Sequence, residues 1–204
     1  MSNTKKNHKN YGKEESFKHF LLFQRMFLYV FLELFFCGSI YSEEAKDYFP
    51  LAVDNMWVYE VEKKFDESIP IETTFVETLI ISGVEEIKGN LFYKEKIHED
   101  EKYFSIENGN ILLYPGLTEA SPCTLVRSPF FKESEWIYTE GIRIKVEEKE
   151  TVNVPAGKFL SYRLNFLIGD GDSLLSTIWI APNVGIVKEK DALREMSLKT
   201  YRVK

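Results

Sequence analysis

The sequence predicts an all-β protein made of antiparallel strands. The pattern is clearest in residues 142–168, where apolar and polar side chains alternate with a period of two on both sides of a turn at Pro155. This alternation puts every second side chain on one face of a strand, whereas a helix would spread the same residues around its circumference. A second observation is the hairpin signal Asn108-Gly109, because both residue types tolerate the positive φ of a tight turn.

The strand that follows Pro155 carries the candidate apolar face. Its members are Leu160, Tyr162, Leu164, Phe166 and Ile168. We see no amphipathic helix in the mature chain that is long enough to cover this face. Either the other half of the chain packs against it, or part of it stays open and receives an acyl chain or the apolar segment of a partner.

The composition supports a folded unit and disfavours nucleic acid as a partner. With 204 residues, 44% of them hydrophobic, the chain can bury a sizeable core. Residues 1–42 carry six Lys or Arg and three Asp or Glu, a net charge of +3, whereas residues 43–204 carry 20 and 29, a net charge of −9. A phosphate backbone repels a body with this negative charge.

Residues 1–42 have the organisation of a signal peptide. Six basic residues precede an almost wholly apolar run from Met26 to Phe36, and small residues between Gly38 and Ser42 form a cleavage region. The run is shorter than the roughly 20 residues that a membrane-spanning helix needs. We expect a hydrophobic signal helix after a disordered basic N-terminus, and export to the periplasm, outer membrane or cell surface. The mature protein is secreted if cleavage occurs near Ser42, and a retained anchor helix is the alternative.

Cys37 is a candidate lipidation site. Leu34 and Cys37 are spaced as in the signal of a bacterial lipoprotein, although Phe36 is bulky where the signal peptidase normally accepts a small residue. Removal or lipidation of Cys37 would leave Cys123 without a disulfide partner in the chain, so the core alone would stabilise the domain.

The rest of the chain contains an internal repeat. Residues 43–114 and 136–204 show the same order of strand and turn signals, and residues 115–135 form an irregular link between them. We therefore expect two copies of a meander of about five strands, together forming one folded unit over residues 43–204. The two copies either pack as a β-sandwich, which we favour, or join into one strongly curved sheet or half-barrel.

The three tryptophans are expected to anchor the core. Trp57, Trp136 and Trp179 fall at corresponding strand positions of the repeat pattern. Large aromatic side chains dominate core energetics, so we interpret these residues as core anchors and not as ligand platforms.

Three motifs resemble a family of uncharacterised bacterial envelope proteins, many of them lipoproteins. The motifs are FPLAVDNMWVY at 49–59, VNVPAGKF at 152–159 and WIAPNVGIVK at 179–188. The chain departs from the family at Asp54, where glycine is usual, and at Ile180, where an aromatic residue is usual. The resemblance implies a curved antiparallel sheet, similar in outline to the half-barrels of the lipoprotein carriers LolA and LolB, and it brings no catalytic residues.

Few residues point to catalysis, and we expect a protein that is not an enzyme. His98 is the one histidine after residue 42, and its position beside Glu99-Asp100-Glu101 indicates a solvated loop. No motif for a zinc site, a P-loop, a dinucleotide site or a nucleophile elbow occurs, so we expect neither cofactor nor metal. Gly169 to Asp172 could ligate calcium, but a tight hairpin accounts for the same residues.

Three functions are consistent with the sequence. The first is a non-catalytic, exported envelope protein that binds an apolar ligand such as a lipid, or an envelope protein partner. The second is a carboxylate-based hydrolase, which needs two carboxylates facing each other across a cleft. The third is a structural subunit of a surface assembly.

Overall fold

The structure is a computed structural model that describes residues 44–63, 73–98, 100–117, 121–169 and 172–204. The expected signal helix, Cys37 and the cleavage region lie outside the described residues. The elements are one short helix and twelve strands: α1 (Ala45–Tyr48), β1 (Met56–Lys63), β2 (Thr73–Ile87), β3 (Asn90–Ile97), β4 (Asp100–Glu107), β5 (Asn110–Tyr114), β6 (Cys123–Val126), β7 (Glu135–Thr139), β8 (Ile142–Val154), β9 (Gly157–Ile168), β10 (Ser173–Ala181), β11 (Gly185–Asp191) and β12 (Arg194–Arg202).

All twelve strands belong to one antiparallel sheet. Its order is β6-β5-β4-β3-β2-β1-β12-β11-β10-β9-β8-β7, so each meander runs through consecutive hairpins and the first strand pairs with the last. The ladder between β1 and β12 extends from Met56 opposite Arg202 to Lys63 opposite Arg194. The sheet curls into a nearly closed ring, which confirms the all-β class and the curved-sheet alternative. The favoured sandwich of two separate sheets is wrong.

The ring has a seam between its two edge strands, β6 and β7. No ladder joins them in the described part of the chain. Instead, the indole Nε1 of Trp136 on β7 donates a hydrogen bond of 2.8 Å to the carbonyl of Thr124 on β6. Side chains therefore connect the two edges where the backbone does not.

Each half of the chain supplies six strands, one more than the sequence indicates. The additional strand of the first half, β6, lies inside residues 115–135, which we expected to form an irregular link. Four residues are too few to show a period of two, so no pattern identified this strand. In β2, the ladder with β3 continues past Gly83 through a register shift between Ile81 and Gly83.

The first core cluster fills the ring near α1. Ala45 and Tyr48 of this helix are buried in the cluster. The Tyr48 ring lies 4.8 Å from that of Phe130 and 5.6 Å from that of Tyr162, and the backbone N–H of Ala45 donates to Ser128 Oγ at 3.1 Å. The chain therefore contributes to the core already at Ala45, the second residue that the structure describes.

The second core cluster joins β1, β11 and β12 to the tip of the β8–β9 hairpin. Val61, Val187 and Leu198 are fully buried in it, and Val152 of the hairpin is buried with 8% of its surface exposed. The N–H of Ala156, in the turn of the hairpin, donates to the carbonyl of Leu198 at 2.9 Å. The hairpin tip is thereby fixed to the last strand of the sheet.

None of the described helices is long and apolar enough to cross a membrane. The one helix in this part of the chain, α1, has four residues.

Candidate ligand-binding site

A cavity of about 470 Å³ lies inside the curled sheet. Residues from all twelve strands line it, which requires a sheet that curls back on itself. Most of the lining is apolar, and the volume falls in the range of about 300 to 1,000 Å³ that is usual for small-molecule sites. The apolar and aromatic lining includes Phe49, Trp57, Tyr59, Leu79, Ile97, Phe104, Leu113, Leu125, Tyr138, Ile142, Phe166, Leu175, Ile178, Ile186 and Met196.

The cavity extends toward the end of the sheet that carries the β3–β4, β9–β10 and β11–β12 turns. Ile97, Asp100 and Arg194, which line it, lie at the ends of their strands beside these turns. The opposite end is occupied by Phe49, which packs against Phe104 with their ring centroids 5.0 Å apart. The site is thus closed by an aromatic residue at one end and lined by charged residues toward the other.

Six charged side chains line the cavity, and acidic ones outnumber basic ones. The acidic residues are Glu77, Glu95, Asp100 and Glu189, and the basic ones are Lys102 and Arg194. Arg194 is neutralised locally, because its guanidinium lies 3.0 Å from Glu189 Oε1 and 3.4 Å from Asp191 Oδ2.

Glu95 is the most buried of these charged residues, with 5% of its surface exposed. On the sheet it lies opposite Ile81 of β2 and Lys102 of β4. Burial raises the pKa of Glu95 from 4.5 to about 7; Lys102 opposes this shift, and Glu77 adds to it. At neutral pH this carboxyl group is therefore divided between its charged and neutral forms.

Tyr59 forms a fixed part of the wall. Its hydroxyl group donates to the carbonyl of Ile186 at 2.8 Å, which ties β1 to β11. Burial raises the pKa of Tyr59 well above 10, and the charges of Glu95, Glu189 and Glu77 add to the effect. Tyr59 remains neutral and hydrogen-bonded at any physiological pH.

The five residues of the predicted apolar face do not share one environment. Tyr162, Leu164 and Phe166 are buried in the first cluster, and of these Phe166 lines the cavity. Leu160 and Ile168 are instead 57% and 44% exposed, which corrects the expectation of one buried face.

A bulge explains the exposure of Leu160. The β8–β9 ladder shifts register between Val146 and Lys149, where β8 has one residue more than β9. Beyond this point the hairpin turns its other face, with Phe159 opposite Val152, toward the second cluster. Leu160 is left on the exposed side. Ile168 is exposed for a simpler reason, because it is the last residue of β9.

The three tryptophans have different environments. Trp57 and Trp136 are buried. Trp57 also lines the cavity and donates from its indole Nε1 to the carbonyl of Val184 at 2.6 Å. Trp179 is only half-buried at the margin of the second cluster, where its Nε1 donates to Glu150 Oε1 at 2.6 Å. Trp179 therefore lies on the other face of β10 from Ile178, which faces the cavity.

His98 and Cys123 lie outside any recognisable catalytic arrangement. His98 is exposed in the β3–β4 turn with a φ of 55°. Cys123 is in no disulfide; burial, with a smaller contribution from the neighbouring Cys123 thiol, raises the pKa of Tyr138 to about 12. Among the described residues, no group of three or more His, Cys, Asp or Glu side chains is arranged to hold a metal ion.

Sequence reasoning missed the charged residues of the cavity. Glu77 stands between Phe75 and Leu79 on β2, and Glu95 stands between Tyr93 and Ile97 on β3. In both strands a glutamate occupies a position of the apolar alternation. These two breaks in the apolar alternation were the sequence signal from which charged residues in the cavity wall could have been predicted.

Comparison with known proteins gives similarity to solved structures only. No protein-family model matches the chain, and no curated protein matches it. A proposed exported protein with a YmcC-like fold from Bacteroides fragilis has 13% identity and a TM-score of 0.45, over 76% of this chain and 98% of that one. A proposed lipoprotein from Parabacteroides distasonis has 14% identity and a TM-score of 0.46, over 78% and 100%.

A third structure is a proposed domain of an outer-membrane lipoprotein-sorting protein from Vibrio parahaemolyticus. It has 11% identity and a TM-score of 0.24, over 74% of this chain and 86% of that one. We infer function from the cavity and its side chains.

Proposed function

We propose that this protein is a non-catalytic, exported protein of the bacterial cell envelope that binds an apolar ligand inside its curled sheet. The observation that carries the proposal is the cavity of about 470 Å³ with its aromatic and aliphatic lining. A preformed concave site lined mainly by apolar side chains, with polar groups at particular points, is the usual form of a small-molecule site. Its walls are fixed by buried hydrogen bonds, such as those of Trp57 and Tyr59.

Export is supported by the N-terminal sequence. The basic region, the apolar run and the small residues up to Ser42 follow the order of a signal peptide. Ala45 is fully buried only three residues later. Cleavage near Ser42 would remove the signal and keep the residues that pack in the core.

The ligand-binding proposal is tested with a neutral apolar dye, N-phenylnaphthylamine, whose fluorescence rises in an apolar site. We expect the purified full-length chain to bind the dye and lipids to displace it. Leu113→Trp places a larger side chain in the cavity, so we expect it to weaken dye binding by about tenfold or more, equivalent to about 1.4 kcal/mol.

Leu91→Trp is the matched control, because Leu91 lies on β3, is half-exposed and does not line the cavity. It also controls for dye binding to the apolar N-terminal segment, which both variants retain. Failure of the folded protein to bind the dye, or equal weakening by both substitutions, would reject the cavity as a binding site.

A carboxylate-based hydrolase is the second candidate, and Glu95 is the observation that favours it. A buried glutamate with a pKa of about 7 beside a second carboxylate, Glu77, has the properties of a general acid. Chromogenic aryl glycosides test this function directly. Turnover by the wild type that Glu95→Gln abolishes would support the hydrolase and contradict a purely binding role.

A further inference from the structure

The carboxyl group of Glu95 lies in the wall of the cavity without a partner in the protein. Within the part of the chain that the structure describes, no hydrogen bond or ion pair to its side chain occurs. Buried polar groups in native proteins are almost always hydrogen-bonded, because leaving one unpaired is costly. Neither oxygen of Glu95 is among the fully enclosed, unpaired side-chain atoms of the described residues, so its carboxyl group reaches the open space of the cavity, where a ligand can pair with it.

The charged groups around Glu95 decide which ligand suits it. Glu77 lines the cavity from β2, four residues from the position opposite Glu95, while Asp100 and Lys102 lie on β4. Across the cavity, Glu189 of β11 holds Arg194 of β12 at 3.0 Å, so this pair contributes little net charge. The neutral Tyr59 of β1 completes the surroundings.

The remaining charges have an excess of negative sign. Glu77, Glu95 and Asp100 stand against Lys102, which lies opposite Glu95 on β4 and whose exposed side chain forms no ion pair with it among the described residues. A ligand carboxylate placed beside Glu95 would add a like charge in a site of low polarity. A protonated amine there would instead complete an ion pair and could also donate hydrogen bonds to the carboxylate.

We propose that Glu95 is the headgroup-recognition residue of this cavity and that the ligand is an amphiphile with an apolar chain and a protonated amine. This inference rests on the proposed function, because it requires that the apolar part of the ligand occupies the cavity. The chain would lie among residues such as Phe104, Phe166 and Ile178, with the amine directed at Glu95.

The experiment compares three ligands of equal chain length as competitors of N-phenylnaphthylamine. Dodecylamine, dodecanol and dodecanoate differ only in the headgroup, and each is used as a monomer at about pH 8. The proteins are the full-length wild type, Glu95→Gln and the control Glu86→Gln. Glu86 is exposed on β2 and does not line the cavity, so this control changes the net charge equally.

We expect the wild type to bind dodecylamine more tightly than dodecanol, and dodecanoate most weakly. Glu95→Gln should weaken the binding of dodecylamine by about tenfold or more, because the charged acceptor of its hydrogen bond is lost. It should change dodecanol affinity less than about twofold, and Glu86→Gln should leave all three affinities unchanged.

The pH dependence gives a second measurement that needs no variant. An alkylamine stays protonated below pH 8, as a lysine side chain does. Glu95 becomes protonated as the pH falls through about 7. The affinity for dodecylamine should therefore fall by about tenfold at one pH unit below this pKa, and the affinity for dodecanol should not change.

The outcomes separate this inference from the proposed function. Binding of dodecanol with no preference for the amine, or an amine preference that Glu95→Gln retains, overturns the headgroup assignment and leaves the apolar site standing. Failure of all three ligands and of the dye to bind the folded protein overturns both.

Discussion

Glu95 should make the stability of the free protein depend on pH. Its pKa is about 7 in the folded state and 4.5 in the unfolded chain, and burial is the main cause. Between these values the unfolded chain has released the proton while the folded protein still holds it. The unfolded state binds fewer protons, so stability falls as the pH rises from 4.5 to 7. The loss is about 3 kcal/mol, at 1.36 kcal/mol per pH unit.

We predict that Glu95→Gln removes this loss. We compare the free energy of unfolding of Glu95→Gln with that of the wild type in urea melts. The difference, variant minus wild type, should be about 3 kcal/mol larger at about pH 8 than at about pH 4. Glu86→Gln, which changes an exposed carboxylate, should stay within about 0.5 kcal/mol of the wild type at both pH values. Parallel pH profiles for the wild type and Glu95→Gln would show that Glu95 titrates normally.

At the scale of single residues, backbone requirements were easier to predict than the site. The turn residues Asn108 and Gly109 have the expected positive φ values of 52° and 79°. Asp54 also has a positive φ, of 71°. The raised pKa of Glu95 could not be predicted in this way, because it depends on burial inside the ring and on the charges of Lys102 and Glu77, which belong to neighbouring strands.

The β8–β9 hairpin was predicted correctly as an element. β8 ends at Val154, directly before Pro155, and β9 begins at Gly157, as the turn chemistry requires. The exposure of Leu160 was not predictable, because it depends on the bulge at Val146 to Lys149 and on the second cluster that receives the hairpin tip. Alternation indicates which residues share a face but not what covers that face at each point.

We predict that Gly157→Val destabilises this hairpin. Gly157 has a φ of 136°, where a β-branched residue is strained at a cost of about 1–3 kcal/mol. Urea melts should show this loss of unfolding free energy. Gly83→Val is the matched control, because Gly83 has no strained φ and open space where a side chain would begin. Equal midpoints for Gly157→Val and the wild type would mean that the turn relaxes around the new side chain.

At the scale of the whole molecule, the repeat was predictable and the ring was not. Each meander consists of hairpins between strands that are close in sequence, so local patterns reveal it. The ring depends on β1 pairing with β12, which joins residues such as Met56 and Arg202. No local sequence pattern predicts the pairing of two strands that lie so far apart in the chain. The sequence was therefore consistent with both a sandwich and a curved sheet. The cavity exists only because the ring forms.

The processing of the chain is a prediction for the whole molecule. We expect the mature protein to lack residues 1–42, because the segment has the order of a signal peptide and Ala45 is already held in the core. Intact-mass analysis of protein from envelope fractions checks this. A mass that begins at Met1 would contradict cleavage, and a mass that begins at a lipidated Cys37 would establish the lipoprotein alternative.

The pairing of the first strand with the last has a consequence for the nascent chain. Ten of the eleven strand pairings join consecutive strands and can form as each hairpin leaves the ribosome. The eleventh, between β1 and β12, has to wait for residues 194–202, near the end of translation. Until then one edge of β1 offers unpaired N–H and C=O groups to any other chain nearby. The folding protein is thus open to edge-to-edge association with other chains until its last strand has paired with its first.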